Sequence, residues 1–183
     1  MEIKQVRTRK EILARLLLPD SFVWCDGDTN SPIYRAQGAD RRGIFSNPIV
    51  DILGKIWALP NTALGIAVAI IMASIALING GGISFGNNGL QVYGLPFADA
   101  LTIGNVILYN TGSGPRDRGP YGNNSVFVGP HEQGHTYQNQ LYGIFFFPAY
   151  LLSGPIANLN NPFEQGAQNF AASGSFLPAG GGR

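Results

Sequence analysis

Two histidines four residues apart are the side chains of this sequence that are best placed to do chemistry. They enclose the segment His131-Glu132-Gln133-Gly134-His135 and are the only 2 histidines in the chain of 183 residues. On a helix, residues at this spacing lie about 40° apart in projection and one turn apart in height, so both imidazoles can reach one tetrahedral ion. The segment therefore predicts half of a zinc site.

Glu132 follows the first histidine and suits a different role. It cannot easily bind the same ion, but it can lie over the remaining coordination position, where a carboxylate can take a proton from water. The only cysteine, Cys25, excludes both a cysteine-based zinc site and an internal disulfide framework. We therefore expect zinc as the cofactor and Glu132 as the general base.

The third protein ligand has to be a carboxylate, because no histidine remains to provide it. Glu164 is the only glutamate after the histidine segment. A competing interpretation makes it part of a helix cap, with Asn161 as the N-cap and Pro162 at the first helical position. The sequence favours the ligand, so His131, His135 and Glu164 form the predicted metal site.

The elements around this site indicate an α+β fold. Pro130 suits the first position of a helix that carries the two histidines. Upstream, the Gly-Asn-Asn-Gly segment at 86–89 predicts a hairpin turn between strands 83–85 and 90–93. A further strand is predicted from Leu101 to Tyr109, where β-forming residues flank a Gly-Asn pair. We expect a small zincin-like domain with a few antiparallel strands beside helices.

The uncharged run from Thr62 to Ile78 has two interpretations. Its length is at the short end for a bilayer span, and it stops at Asn79 and three glycines. We predict a buried apolar helix that belongs to the core. The alternative is a hydrophobic anchor in a membrane, to which residues 141–157 would add a second apolar segment.

Charged side chains are concentrated near the N-terminus. Residues 1–55 hold sixteen of the twenty-three charged side chains, and the remaining 128 residues hold seven. We predict a single domain over residues 1–183, in which a charged N-terminal part (1–55) precedes an apolar core with the metal site (56–173). A flexible tail (174–183) follows.

The overall charge limits the classes of partner. A net charge of +1 gives no field that would attract nucleic acid, and no basic stripe with interleaved aromatic residues is present. The first residues lack the apolar stretch of a secretory signal, so we expect no cleavable signal peptide. Residues 3–18 predict an amphipathic helix, whose basic face is interpreted more simply as a solvated surface than as a membrane contact.

The spacing of these residues resembles a known family signature. The HExxH pattern at 131–135, followed by ExxA at 164–167, is similar to the gluzincin signature carried on two helices. The resemblance implies a zinc metallopeptidase in which both histidines and Glu164 bind zinc and Glu132 is the base. It also implies that a peptide or protein substrate pairs with an edge strand at 101–109. A weaker similarity is to HExGHTxQ domains associated with bacterial secreted or toxin proteins.

The sequence departs from that family at the polar residues around the metal. Many gluzincins have an acidic residue where this chain has Gln168. The residue that accepts a hydrogen bond from a ligand histidine therefore has to be a different one. Gln138 falls on the same helix face as both histidines, and it serves either as that partner or in ordinary packing. No histidine remains to stabilise an oxyanion. The remaining candidates are Tyr137, Tyr142, Tyr150 and Arg116.

Three functions are compatible with these residues. The predicted function is hydrolysis of a peptide bond by a zinc-activated water, with Glu132 passing the proton to the leaving amine. The first alternative is a peptidase of the same chemistry that is held at a membrane by residues 62–78. The second alternative is a non-catalytic domain of a toxin-like or secreted bacterial protein, whose zinc is structural.

Overall fold

A computed structural model describes residues 47–97, 100–119 and 126–176. The predicted helix at 3–18 lies outside these residues, as do Cys25, Asp99 and the tail beyond residue 176. The described part contains a four-stranded sheet with helices on both of its faces, which confirms the predicted α+β class.

Two consecutive helices come before the sheet. Helix α1 (Pro48–Trp57) begins at Asn47, whose side chain accepts a hydrogen bond from the backbone N–H of Ile49 at 2.9 Å. Helix α2 (Leu59–Ile78) follows after Ala58 and is 20 residues long. It spans the run predicted from Thr62 and begins three residues earlier.

The sheet consists of two hairpins joined along their inner strands. Its strands are β1 (Ile83–Gly86), β2 (Gly89–Leu95), β3 (Ala100–Ile103) and β4 (Val106–Asn110). They lie in the order β1-β2-β4-β3, and β2 pairs with β4 in parallel. The prediction of antiparallel strands is right for the two hairpins and wrong for this central pair.

The first hairpin has the predicted turn. Asn87 and Asn88 have φ angles of 46° and 66°, and Gly86 pairs directly with Gly89 across the turn. Two central residues with positive φ are typical of a type I′ turn, which matches the right-handed twist of the flanking strands.

The single strand predicted from Leu101 to Tyr109 is wrong, because the chain reverses at Gly104 and forms β3 and β4. Gly104 has a φ of 62°, and a Cβ at this position would lie 2.3 Å from the backbone nitrogen of Thr62. Only glycine fits such a turn under a helix. The β-forming residues on both sides of the turn suggested one continuous strand.

Strand β4 is buried on both faces and separates α2 from the helix that carries the histidines. Val106 and Leu108 pack with α2 residues such as Ala69, whereas Ile107 and Tyr109 pack on the opposite face. A strand covered on both sides has a continuous apolar sequence rather than an alternating one. The two helices therefore pack on opposite faces of the sheet, and they also contact each other directly where Asn61 donates to Oδ1 of Asn139 at 3.0 Å.

Three helices follow the sheet. Helix α3 (Val128–Tyr142) starts two residues before the predicted Pro130. A 3-10 turn (Gly143–Phe145) leads into α4 (Phe146–Ser153). Helix α5 (Pro162–Ser173) has Asn161 as its N-cap, with its side chain accepting a hydrogen bond from Phe163 N at 3.0 Å.

The apolar helix α2 is buried along one stripe only. Its buried residues are Asn61, Gly65, Ala69 and Ala76, which face the rest of the protein. Its large aliphatic side chains point away, so that Ile70 and Ile71 are about 70% exposed. Among the described helices, α2 is long and apolar enough to cross a membrane. The expectation of a buried core helix therefore holds for its small residues and not for its large ones.

We predict that Gly65→Ala destabilises the fold. A Cβ at Gly65 would lie 2.4 Å from the carbonyl oxygen of Ile103 and 2.9 Å from Cβ of Val106. In an exposed helix the same change stabilises by up to about 1 kcal/mol, but overpacking at a tight contact costs about 1–3 kcal/mol. The free energy of unfolding, measured by urea denaturation, should fall.

The matched control is Ser74→Ala, at an exposed position of the same helix. It should leave the free energy of unfolding unchanged or slightly increased. A Gly65→Ala variant that is more stable than the original protein would contradict the contact between α2 and the hairpin β3–β4.

Candidate metal centre

The site is formed where α3 and α5 cross at very short distance. A Cβ at Gly134 would lie 2.9 Å from Cα of Ala167. The two backbones can approach this closely only because small residues meet at the crossing. Gly134 lies between the two histidines, and Ala167 lies one turn after Glu164, so the crossing brings these side chains together.

The three predicted ligands meet at this crossing. Nε2 of His131 lies 3.1 Å from Oε2 of Glu164, and Nε2 of His135 lies 3.5 Å from Oε1 of the same carboxylate. All three ligand atoms lie within 4.8 Å of one another. Tetrahedral ligands about 2.0–2.1 Å from zinc are separated by about 3.3 Å, so the described residues fit such an ion with little adjustment.

Glu164 takes part in this cluster rather than in the helix cap. Its side chain is 5% exposed and contacts both histidines. The backbone N–H of Asn161, which a capping box would satisfy, donates instead to the carbonyl of Asn158 at 2.8 Å. The capping of α5 is provided by Asn161 itself, which leaves the carboxylate of Glu164 available to an ion.

Gln138 fixes the orientation of His135. Its amide nitrogen donates to the carbonyl of Phe163 at 2.8 Å, and its amide oxygen lies 2.8 Å from Nδ1 of His135. Because a carbonyl only accepts, the amide orientation is determined, and Nδ1 has to be the donor. With Nδ1 protonated, loss of the second ring proton to a metal ion would leave the lone pair on Nε2, which faces Glu164, as a metal-binding histidine requires.

Glu132 lies beside the cluster and is held by the edge strand. Its side chain is 2% exposed. The hydroxyl of Thr102, on β3, donates to Oε2 of Glu132 at 2.6 Å. No motif marked Thr102 in the sequence, because its role depends on how the sheet packs against α3.

Tyr150 is the aromatic candidate that the structure places at the site. Its hydroxyl donates to Oε1 of Glu164 and accepts from the backbone N–H of Ala157 at 2.9 Å. Tyr137 is instead buried against Phe170. The other two candidates, Tyr142 and Arg116, are exposed and do not line the site.

The electrostatics of the cluster favour an ionised Glu164 beside a protonated His135. Burial alone lowers the pKa of His135, but the hydrogen bond and charge of Glu164, together with the charge of Glu132 and the hydrogen bond of Gln138, raise it to about 9. Burial alone raises the pKa of Glu164, but hydrogen bonds from His131 and His135 hold it well below its usual range. A bound metal ion would replace the proton as the compensating charge.

A cavity of about 340 Å³ opens onto this cluster. Among the described residues that line the cavity there is no lysine or arginine. Its lining comprises the metal-cluster residues, Glu132, Thr102, Tyr150, and apolar side chains that include Leu101, Phe146, Phe147, Leu151 and Ile156. Asp117, another carboxylate of the apolar region, lies elsewhere and accepts a hydrogen bond from Gly114 N at 2.6 Å.

Comparisons of the chain with protein-family models, with curated proteins and with solved structures found no match. The chemistry of the site therefore has to be argued from its own geometry.

We predict that Gln138→Leu weakens zinc binding about 10- to 100-fold. The change removes both hydrogen bonds at similar side-chain volume, and the partner of a ligand histidine typically contributes this much to metal affinity. Competition with a zinc-chelating dye measures the dissociation constant.

Two variants separate orientation of the ring from general packing. Gln138→Glu keeps an oxygen acceptor for Nδ1 of His135 but loses the donor to the carbonyl of Phe163, so it should retain more affinity than Gln138→Leu. Thr111→Val changes an exposed residue outside α3 and α5 and should have no effect. Equal affinity of Gln138→Leu and the original protein would show that Gln138 does not orient the ligand.

Proposed function

We propose that the chain is a zinc-dependent hydrolase, and specifically a metallopeptidase. The observation that carries this proposal is the convergence of three buried ligand groups and a separate buried carboxylate on one cavity. His131, His135 and Glu164 would hold the ion, and Glu132 would remain free of it as the base. When bound, zinc supplies a Lewis acid that polarises a carbonyl and lowers the pKa of water.

The proton transfers belong to Glu132. Thr102 occupies its Oε2 atom with a hydrogen bond of 2.6 Å, which leaves Oε1 to accept a proton from the attacking water. The same carboxyl group then delivers that proton to the leaving amine. The cavity around it is mostly apolar, which strengthens the electrostatic interactions that act on the reacting groups.

Tyr150 is the residue that we assign to the developing oxyanion. It is a neutral O–H donor that lines the cavity and already contacts a ligand carboxylate. Once an ion neutralises Glu164, the phenol can turn its hydrogen bond towards a substrate oxygen. Such a donor is worth several kcal/mol when it is aimed at the transition state, about 3–4 in a measured case.

The substrate that fits this arrangement is an extended peptide. Strand β3 lies at the edge of the sheet and contributes Ala100, Leu101 and Thr102 to the cavity. A peptide can add to such an edge through main-chain hydrogen bonds, which would carry its scissile bond past the metal cluster.

A structural zinc site is the less suitable alternative. Structural sites are usually closed by four protein ligands, whereas catalytic sites use three and keep one position open. Among the described residues the cluster has three members. A catalytic site therefore agrees better with the donor set.

We predict that Glu164→Gln lowers zinc affinity at least tenfold. The neutral amide removes the negative charge that balances the ion, while it could still make a capping contact. Zinc content after dialysis and a chelator titration measure the effect, and circular dichroism should show unchanged helix content. Asp117→Asn is the control, because it removes an exposed carboxylate outside the cluster. Unchanged affinity in Glu164→Gln would refute Glu164 as a ligand.

We predict that Glu132→Gln retains zinc but loses hydrolysis. The substitution removes the proton acceptor and leaves the three ligands in place, and general-base catalysis typically contributes about 10²- to 10⁴-fold in rate. Cleavage of a fluorogenic peptide library by zinc-loaded protein provides the assay. If the variant cleaves the same peptides at the original rate, Glu132 is not the base.

A further inference from the structure

The outward side of α1 and α2 is an apolar surface, which we call the apolar face. On both helices the exposed side chains are large and aliphatic, and Ile78 at the end of α2 is 85% exposed. The large side chains of this face are Ile49, Ile52, Leu53, Ile56, Trp57, Leu59, Leu64, Ile66, Ile70, Ile71, Ile75, Leu77 and Ile78.

The apolar face is almost free of polar groups. Of the twelve exposed residues of α2, eleven are apolar, and Ser74 is the exception. No charged residue occurs in the sequence between Lys55 and Asp99. Lys55 itself is paired with Asp51 at 2.8 Å. Exposure of this surface to water is therefore unfavourable. Most proteins expose apolar side chains singly, whereas here many of them lie on two consecutive helices.

The lack of polar groups identifies the occupant. A standard protein interface contains about ten hydrogen bonds and a polar rim, for which α2 offers only Ser74. Hydrocarbon requires no hydrogen bonds from the side chains that it contacts, and a helix that is apolar on nearly all sides is typical of burial or of a membrane. We propose that the apolar face docks into the hydrocarbon of a phospholipid bilayer.

The geometry further specifies a helix that lies in the plane of the bilayer. The inner stripe of α2 packs on the sheet, where Gly65 meets the backbone of Ile103. A spanning orientation would carry the sheet edges into the hydrocarbon, where unpaired backbone groups are very costly. Lying flat, α2 presents about 30 Å of apolar surface and enters the bilayer to a depth of about 5–10 Å.

This docking uses elements other than those that line the metal cavity. Helix α2 packs on the sheet face of Val106 and Leu108, whereas Val128 of α3 packs on the face of Ile107 and Tyr109. None of the described residues that line the metal cavity belongs to α1 or α2, although both helices contact the C-terminal half of α3 through the pairs Asp51–Gln140 and Asn61–Asn139. The proposal does not depend on zinc or on hydrolysis, and it stands or fails separately from them.

Flotation of the full chain with neutral phosphatidylcholine vesicles tests the proposal. The protein should float with the vesicles and remain bound in 1 M NaCl, because salt screens charges but does not weaken apolar contacts. The double variant Ile70→Glu/Ile71→Glu should lower the bound fraction at least tenfold. Both side chains are about 70% exposed, so circular dichroism and thermal unfolding should remain close to the original.

The charge-matched control is Thr111→Glu/Gln165→Glu, which adds two negative charges at exposed positions outside α1 and α2. It should float like the original protein. Failure of the original protein to float, or binding that requires anionic lipid and is lost in 1 M NaCl, would overturn the proposal. Light scattering that shows a stable dimer without lipid, dissociated by the Ile70→Glu/Ile71→Glu change, would also overturn it and assign the face to a second copy of the chain.

Discussion

The close contact between Gly134 and Ala167 is the constraint on which the site depends. Two helices normally lie 8–10 Å apart, with the spacing set by the side chains at their contact. Here a Cβ at Gly134 would lie 2.9 Å from the neighbouring backbone. The histidines belong to one helix and Glu164 to the other, so the width of this crossing sets the size of the candidate metal site. A larger residue at either position would separate the ligands before it disturbed any of them directly.

The same crossing explains how so many polar groups are buried beside an apolar sheet. Helix α3 is buried from Val128 to Gln140, although many of its side chains are polar. Each needs a partner, because an unpaired buried group costs about 1–3 kcal/mol. Gln138 reaches the backbone of α5, and Asn139 accepts a hydrogen bond from Asn61 of α2 at 3.0 Å. Hydrogen bonds to α5 on one side and to α2 on the other therefore fix the rotation of α3 about its own axis.

Sequence reasoning identified the features that local patterns encode. The 131–135 segment indicated a helix with both histidines on one face, and Asn87 and Asn88 indicated a tight turn. It could not predict the parallel pairing of β2 with β4 or the contact of Thr102 with Glu132, since these depend on which distant segments meet. The exposure of Ile70 and Ile71 could not be predicted either. Hydropathy describes the preference of a side chain for an apolar environment, but it does not say which side of a helix packs against the rest of the protein.

The register of the short hairpin β3–β4 decides whether Thr102 can contact the carboxylate of Glu132. Strand β3 has one strand neighbour, and its register is set by the two-residue turn at Gly104. Side chains alternate between the two faces of a strand, so a shift by one residue would turn Thr102 to the α2 side and bring Leu101 or Ile103 towards Glu132, depending on the direction of the shift. The loop before β3 can therefore change in length with little effect on the contact between Thr102 and Glu132. One residue inserted before this turn would place Ile103 where the hydroxyl of Thr102 lies now.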